Sequence, residues 1–266
     1  MNSRKLLIAL AIIHEGKWQE IFTALQNHEQ VDEEVADGYI KHIKSGVLTI
    51  FDPQYPDYLK HSYKPPFVLF YYGDISLISN KDNNVAVVGS RSPSIQGKEN
   101  IQYIVEGIAK RYNIVSGLAR GIDAVAHRTA IESGGKTIAV LGNGIEYCYP
   151  SENGELYQII RKNHLVISEY FNYVSPDSTN FPQRNRLIVA FSKGTIIGEA
   201  RKRSGTLITA NFTLQDNQNL MSLPSGDIHD SLNNLFVREG CPLVLSPEDV
   251  FEYLDDDKNS LLCEVK

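Results

Sequence analysis

A segment between Phe181 and Gly205 concentrates the basic side chains that could hold a phosphate. Guanidinium groups pair bidentately with phosphate oxygens, and an exposed aromatic ring such as Phe181 can stack on a nucleic-acid base of any sequence. The alternative interpretation is that the charged side chains form a solvated helix face and that Phe181 belongs to the core. For Arg201 and Lys202 the two interpretations are equally well supported. The segment has a single acid, Glu199, and six basic residues: Arg184, Arg186, Lys193, Arg201, Lys202 and Arg203. Because Arg184 and Arg186 directly precede an apolar helical run, we predict an anion site.

Small residues follow the apolar runs that are typical of buried strands. Backbone N–H groups in such loops approach an anion closely, and a helix that begins there adds its positive N-terminal dipole. A tight turn would explain any one of these loops, but the set indicates a shared anion-binding edge. The loop residues that stand out are Gly89, Ser90, Arg91, Ser116, Gly117 and Arg120.

Two catalytic motifs are incomplete in this sequence. Ser116, Asp123 and His127 could be imagined as a hydrolase triad, but no Gly-x-Ser-x-Gly elbow accompanies them, so His127 is predicted to be structural. The tripeptide Gly-Lys-Thr at 135–137 resembles the end of a P-loop, yet it precedes a strand, whereas a P-loop follows one. The seven histidines lack metal-ligand spacing. We therefore predict no catalytic residues, no metal and no cofactor.

The composition is that of a globular protein without a general basic coat. The chain has 266 residues and a formal net charge of -6, so any nucleic-acid site must be a local groove. Its three cysteines are widely spaced and form no Cys-x-x-Cys, which favours a reducing, cytoplasmic setting. The apolar run Leu6 to Ile13 is predicted to be a buried first helix, because it is far shorter than the roughly 20 residues that span a bilayer.

The predicted elements that must position these residues are strands that alternate with helices. Residues 1–46 have helical periodicity and are predicted to form a small N-terminal helical domain. From Asn84 onward, continuous apolar runs alternate with helix-length segments, which predicts an α/β, doubly wound, mostly parallel, extended Rossmann-like sheet over residues 47–254. An acidic tail occupies 255–266. The predicted strands of the repeating part are "VAVVGS", "NIVSG", "TIAVLGNG", "LVISEY", "GTIIGEA", "NLMSLPSG" and "PLVLS".

Several long motifs resemble one known family. "VAVVGSRSPSIQG", "IVSGLARGIDAVAH", "FPQRNRLIVAFSKGTIIGEA" and "RSGTLITA" occur in the order and at about the spacing of the DprA (Smf) DNA-processing family. The similarity extends from about Asp52 to Leu254. It implies a non-catalytic homodimer that binds and protects incoming single-stranded DNA and helps to load the RecA recombinase during natural transformation. By family analogy alone, the helix 209–216 would face RecA.

The resemblance also implies roles for individual residues. Arg91 is similar to the family's main phosphate-binding arginine, and Phe181 to its base-stacking aromatic. The chain has Ser151, Gly154 and Ser178 where relatives often place basic residues, which implies fewer phosphate contacts. The other implied DNA contacts are Ser90, Ser116, Gly117, Arg120, Arg184, Asn185, Arg186, Arg203, Ser204, Gly205 and Thr206. The implied dimer contacts are Leu235, Phe236, Val237 and Leu243.

Two alternatives remain at this point. "GEARKRSGTLITA" is similar to the Gly-Gly-x-Gly-Thr loop of the LOG phosphoribohydrolases, which cleave nucleotides, but Leu207, Ile208 and Thr209 stand where their acid is expected. The second alternative is a pocket that binds a small nucleotide for sensing only.

Overall fold

The computed structural model describes residues 1–202 and 204–255, so Arg203 and all of the predicted acidic tail except Asp255 lie outside the described residues. The strands are β1 (Gly46–Thr49), β2 (Val68–Gly73), β3 (Asn84–Val88), β4 (Asn113–Ser116), β5 (Thr137–Leu141), β6 (Leu165–Ser168), β7 (Gly194–Ile197) and β8 (Asn219–Ser222). The helices are α1 (Ser3–Ile13), α2 (Trp18–Gln26), α3 (Glu33–Ile40), α4 (Asp57–Lys60), α5 (Ile95–Ile108), α6 (Ile122–Glu132), α7 (Gly154–Asn163), α8 (Asn180–Ala190), α9 (Thr206–Gln215), α10 (Leu232–Arg238) and α11 (Pro247–Asp255).

The eight strands form one sheet in the order β1-β2-β6-β5-β4-β3-β7-β8. Strands β3 to β8 pair in parallel, while β2 joins β6 and β1 joins β2 in the antiparallel sense. The chain winds outward from β3 through β4, β5 and β6, then returns to the other side of β3 with β7 and β8. The predicted fold class is confirmed, and the reversal between β3 and β7 marks the edge where such sheets bind ligands.

The inner strands are buried on both faces, which explains their continuous apolar sequences. All five residues of β3 and of β5 are buried. One face is covered mainly by α8, α9 and α10, and the other by α5, α6 and α11. Helices on both faces therefore leave the carboxyl ends of the strands as the open edge of this sheet.

The predicted strand "PLVLS" is wrong. Leu243 makes only an isolated bridge to Ser222. The pairing stops there because the N–H groups of Leu245 and Ser246 donate to the carboxylate of Asp249, at 2.7 and 2.8 Å, and so lead into α11. An Asp side chain that captures these donors begins a helix where the apolar run alone suggested a strand.

The N-terminal helices share their hydrophobic core with the sheet. Leu7 to Ala11 of α1 are buried, as predicted for the first helix. Leu7, Ile8 and Ile21 belong to one apolar cluster with Phe70 of β2 and with residues of β5 and α7. The separate domain 1–46 stays a prediction, since these helices rest directly on the β2 side of the sheet.

Candidate nucleic-acid interface

A cleft of about 810 Å³ lies beyond the carboxyl ends of the central strands. Its walls come from the loops after β3, β4 and β5 and from the first turns of α8 and α9, so it occupies the edge where the strand order reverses. The residues that line it include Ser90, Arg91, Asp123, Tyr147, Tyr149, Phe181, Arg184, Asn185, Arg201, Ser204, Gly205 and Thr206.

The loop that carries Arg91 is fixed on both sides by backbone hydrogen bonds. The N–H of Ser90 donates to the carbonyl of Glu199 after β7 at 2.6 Å, and the carbonyl of Ser90 accepts from the N–H of Ile122 at 3.1 Å. Gly121 has φ 74° and lies so close that a Cβ there would meet the Ser90 oxygen at 2.2 Å, so only glycine fits. The Arg91 side chain is exposed. A rigid loop therefore presents a cation to the cleft.

Arg184 places a second guanidinium at the floor of the cleft. The residue is 4% exposed, and its Nη1 donates to the carbonyls of Gly117, at 2.7 Å, and of Val140. Burial lowers the pKa of Arg184 to about 10, so the group stays charged at neutral pH. In the described part of the chain no carboxylate lies within 4.0 Å of it. The buried Asp123 carboxylate lies beyond this distance but still interacts favourably with the guanidinium charge, and an anionic ligand would compensate that charge further.

The Arg184 guanidinium packs directly against Gly117. A Cβ at Gly117 would lie 2.5 to 2.7 Å from the guanidinium atoms of Arg184. Because Arg184 is buried and hydrogen-bonded, Gly117→Ala is expected to lower the free energy of unfolding by about 1–3 kcal/mol, measured by urea denaturation. Gly205→Ala is the matched control, since a Cβ there meets nothing within 4 Å. Equal stability of the two variants would contradict the packing described here.

Asp123 shapes the turn between β4 and α6. Its Oδ2 accepts from the N–H groups of Gly117, at 3.1 Å, and Ala119, at 3.3 Å. Burial is the largest effect on this carboxyl group and raises its pKa. The buried His127 hydrogen-bonds through Nδ1 to the Thr137 hydroxyl at 2.6 Å, which confirms the structural role predicted for it. Asp123 therefore fixes the turn whose Gly117 carbonyl accepts a hydrogen bond from Arg184.

Three aromatic or basic side chains form a stack at the mouth of the cleft. The ring of Phe181 lies 5.5 Å from the ring of Tyr149 at an interplanar angle of 27°. The Arg91 guanidinium lies over the same Phe181 ring, 5.5 Å from its centroid. Sequence reasoning missed Tyr147 and Tyr149, although the aromatic tripeptide around Cys148 follows a predicted strand end and could have drawn attention.

The N-terminus of α9 has two features that suit an anion. Gly205 caps this ten-residue helix without a side-chain hydrogen bond. The buried Oγ of the neighbouring Ser204 also has no partner among the described residues. The N–H groups of Leu207 and Ile208 donate to the carbonyls of Ser204 and Gly205 at 3.2 Å, so this helix end offers an anion its positive dipole beside the Ser204 hydroxyl. Sequence reasoning placed Ser204, Gly205 and Thr206 in the pocket, and all three line this cleft.

The structure does not bring Arg186 into the cleft. Its Nη1 and Nη2 donate to the two carboxylate oxygens of Glu169 at 2.7 and 2.6 Å, and the two side chains are 2% and 7% exposed. Arg186 lines a separate pocket of about 270 Å³ beside Trp18 of α2. The expected strand-contacting loop is in fact helix α8, on which residues two positions apart point in different directions.

The other implied contacts are dispersed. Arg120 is exposed and pairs with Glu152 at 2.7 Å, outside the cleft lining, and the Ser116 hydroxyl donates to the Val87 carbonyl at 2.7 Å. Phe236 is 3% exposed within the protomer core, so it is not available as a dimer contact in this conformation. The three remaining implied dimer residues are half-buried: Leu235, Val237 and Leu243.

The fold and the cleft together define an α/β protein with a basic cleft at the carboxyl edge of its sheet. The family model described as DNA recombination-mediator protein A matches residues 46–255, and the chain belongs to this family. It is 41% identical over 206 residues to the DNA processing protein DprA of Streptococcus pneumoniae, covering 76% of this chain and 72% of that one. The DprA of Bacillus subtilis is 36% identical over 213 residues, covering 79% and 71% of the two chains.

Solved structures agree with this assignment. An X-ray structure of DprA from Streptococcus pneumoniae matches with a TM-score of 0.77 and 37% identity, covering 88% of this chain and 80% of that one. DNA processing protein A from Helicobacter pylori, described for its single-stranded DNA binding mode, matches with a TM-score of 0.71 and 27% identity over 81% and 98% of the chains. Within residues 1–202 and 204–255, no helix is both long and apolar enough to cross a membrane, and no cluster of potential metal ligands is found.

Proposed function

We propose that this protein binds single-stranded DNA in the cleft and acts as a recombination mediator. The observation that carries the proposal is the buried Arg184 guanidinium at the cleft floor, which has no carboxylate within 4.0 Å among the described residues, although the Asp123 charge acts on it from further away. Arg91 adds an exposed charge above it, and the α9 N-terminus adds its positive dipole and the unpaired Ser204 hydroxyl. The phosphates of a DNA backbone neutralise these positive charges. The aromatic rings beside them can stack on bases of any sequence.

We expect the site to bind DNA and not to catalyse a reaction. The Asp123 carboxylate accepts from N–H groups of the β4–α6 turn, and the Glu199 carboxylate accepts from the Ser94 N–H at 3.1 Å, outside the cleft lining. The acid that a LOG phosphoribohydrolase needs after Gly205 and Thr206 is replaced by apolar residues that continue α9. The supporting observation is therefore the absence of a poised general acid or base among the residues that line the cleft.

The proposed partners beyond DNA follow from family membership. We expect a homodimer that loads RecA in the cytoplasm, with the exposed parts of Leu235, Val237 and Leu243 as dimer contacts. The helix 209–216 that is expected to face RecA forms most of α9.

A mobility-shift titration tests the DNA-binding proposal. Labelled single strands and duplexes of the same length are titrated at several salt concentrations. Single strands are expected to bind more tightly, with little dependence on sequence and with an affinity that falls linearly in log–log form as salt rises. Equal binding of both forms, or release of free base from nucleoside monophosphates above a blank, would contradict the proposal.

A further inference from the structure

The ring of Phe181 is half-buried and already contacts other groups of the cleft. Tyr149 stacks on it at 5.5 Å and the Arg91 guanidinium lies over it at 5.5 Å. The backbone of Gly142 packs so closely that a Cβ there would meet the ring at 2.7 Å. A base that stacked on Phe181 would have to displace at least one of these neighbours. The family-implied role of Phe181 as the stacking aromatic therefore conflicts with its packing in this chain.

Tyr149 has the open ring surface that Phe181 lacks. It lines the cleft and is 42% exposed, although Phe181 supports one side of its ring. Its loop is held firmly, because the buried Asn143 amide donates to the Tyr147 carbonyl at 2.5 Å and the Gly144 N–H donates to Val174 at 2.8 Å. An aromatic ring with a fixed plane and an exposed face is a suitable platform for stacking.

We propose that Tyr149 is the residue on which a base of the bound strand stacks, and that Phe181 is a positioning residue. This inference rests on the proposed single-stranded DNA binding and deepens it. Phe181 contacts both the Tyr149 ring and the Arg91 guanidinium, so it holds the base platform and the phosphate-binding cation at a fixed separation. The bound strand is thus recognised through a base by Tyr149 and through a phosphate by Arg91.

Tyr147 is the other candidate for the base-stacking residue. It also lines the cleft and is 41% exposed, so exposure alone does not separate the two tyrosines. The ring contact with Phe181 belongs to Tyr149, however, and it fixes the plane of that ring before DNA arrives. A preorganised ring loses less side-chain entropy on binding than a rotating one.

The test compares a thymidine oligonucleotide with an abasic strand of the same length, which keeps the phosphates and removes the bases. Tyr149→Ala is expected to weaken binding of the thymidine strand about 5- to 100-fold and to leave binding of the abasic strand unchanged. Tyr149→Phe should retain parental affinity, because the ring remains. Phe181→Ala should weaken both strands, since it releases Arg91 as well as Tyr149. Tyr103→Ala, an exposed tyrosine on α5 outside the cleft lining, is the control and should change neither.

The possible outcomes distinguish failure of the Tyr149 assignment from failure of the proposed DNA binding. Parental affinity of Tyr149→Ala for the thymidine strand, equal losses on both strands, or a larger loss in Tyr147→Ala would overturn the assignment of Tyr149 while leaving DNA binding intact. A parent protein that binds no single strand at all would overturn the proposed function itself. Urea denaturation of every variant separates loss of binding from loss of folding.

Discussion

Replacing Arg186 with leucine is expected to lower the free energy of unfolding by about 3–5 kcal/mol, as measured by urea denaturation. The substitution removes both donors to Glu169, whose carboxylate is 7% exposed and would remain buried without a partner. The penalty of an uncompensated buried charge exceeds what the pair itself contributes, because both ions were removed from water when the protein folded. The expected defect is therefore in stability.

A second variant separates this role from the DNA contact that the sequence motif implied. Arg186→Leu combined with Glu169→Leu removes both charges together and should recover much of the lost stability. The folded fraction of either variant should bind single-stranded DNA like the parent, because Arg186 lies outside the cleft lining. A stable Arg186→Leu protein with sharply reduced DNA affinity would show instead that this arginine contacts the strand.

Arg184 and Arg186 show where sequence reasoning succeeds and where it stops. Both were predicted to touch the strand because they flank Asn185 in a basic segment, but the segment is helical and its 3.6-residue period sends the two side chains to different pockets. The sequence does not show that the carboxylate of Glu169, directly after β6, pairs with one of them. The charge composition of the sequence predicted the basic segment. Tertiary contacts determine which of its arginines can contact a ligand in the cleft.

The sheet was more predictable than the cleft. Continuous apolar runs identified β3 to β8, because strands buried on both faces cannot alternate with polar residues. The cleft instead depends on distances between loops that are far apart in sequence, such as Tyr149 against Phe181. No periodicity encodes such a contact, so the two tyrosines of the loop after β5 were missed while the glycines and serines at the strand ends were found.

Replacing Arg91 with alanine is expected to weaken single-stranded DNA binding about 10- to 100-fold at moderate salt, because one charge-assisted contact to a phosphate is lost. The stability of the fold should hardly change, since the side chain is exposed and its loop is fixed by backbone hydrogen bonds of Ser90. Titrations at several salt concentrations should also show a log–log slope that is shallower by about 0.7, the value for one fewer neutralised phosphate on a single strand.

Arg128→Ala provides the matched control for this loss of charge. Arg128 is an exposed arginine of α6 that lies outside the cleft lining. Both variants change the net charge by the same amount, so an effect that arose only from the overall field of the protein would appear equally in both. A loss confined to Arg91→Ala, together with the change in slope, would locate the phosphate at the mouth of the cleft. Equal losses would mean that the strand is attracted by the general charge of the surface, and the cleft would then have no special part in binding.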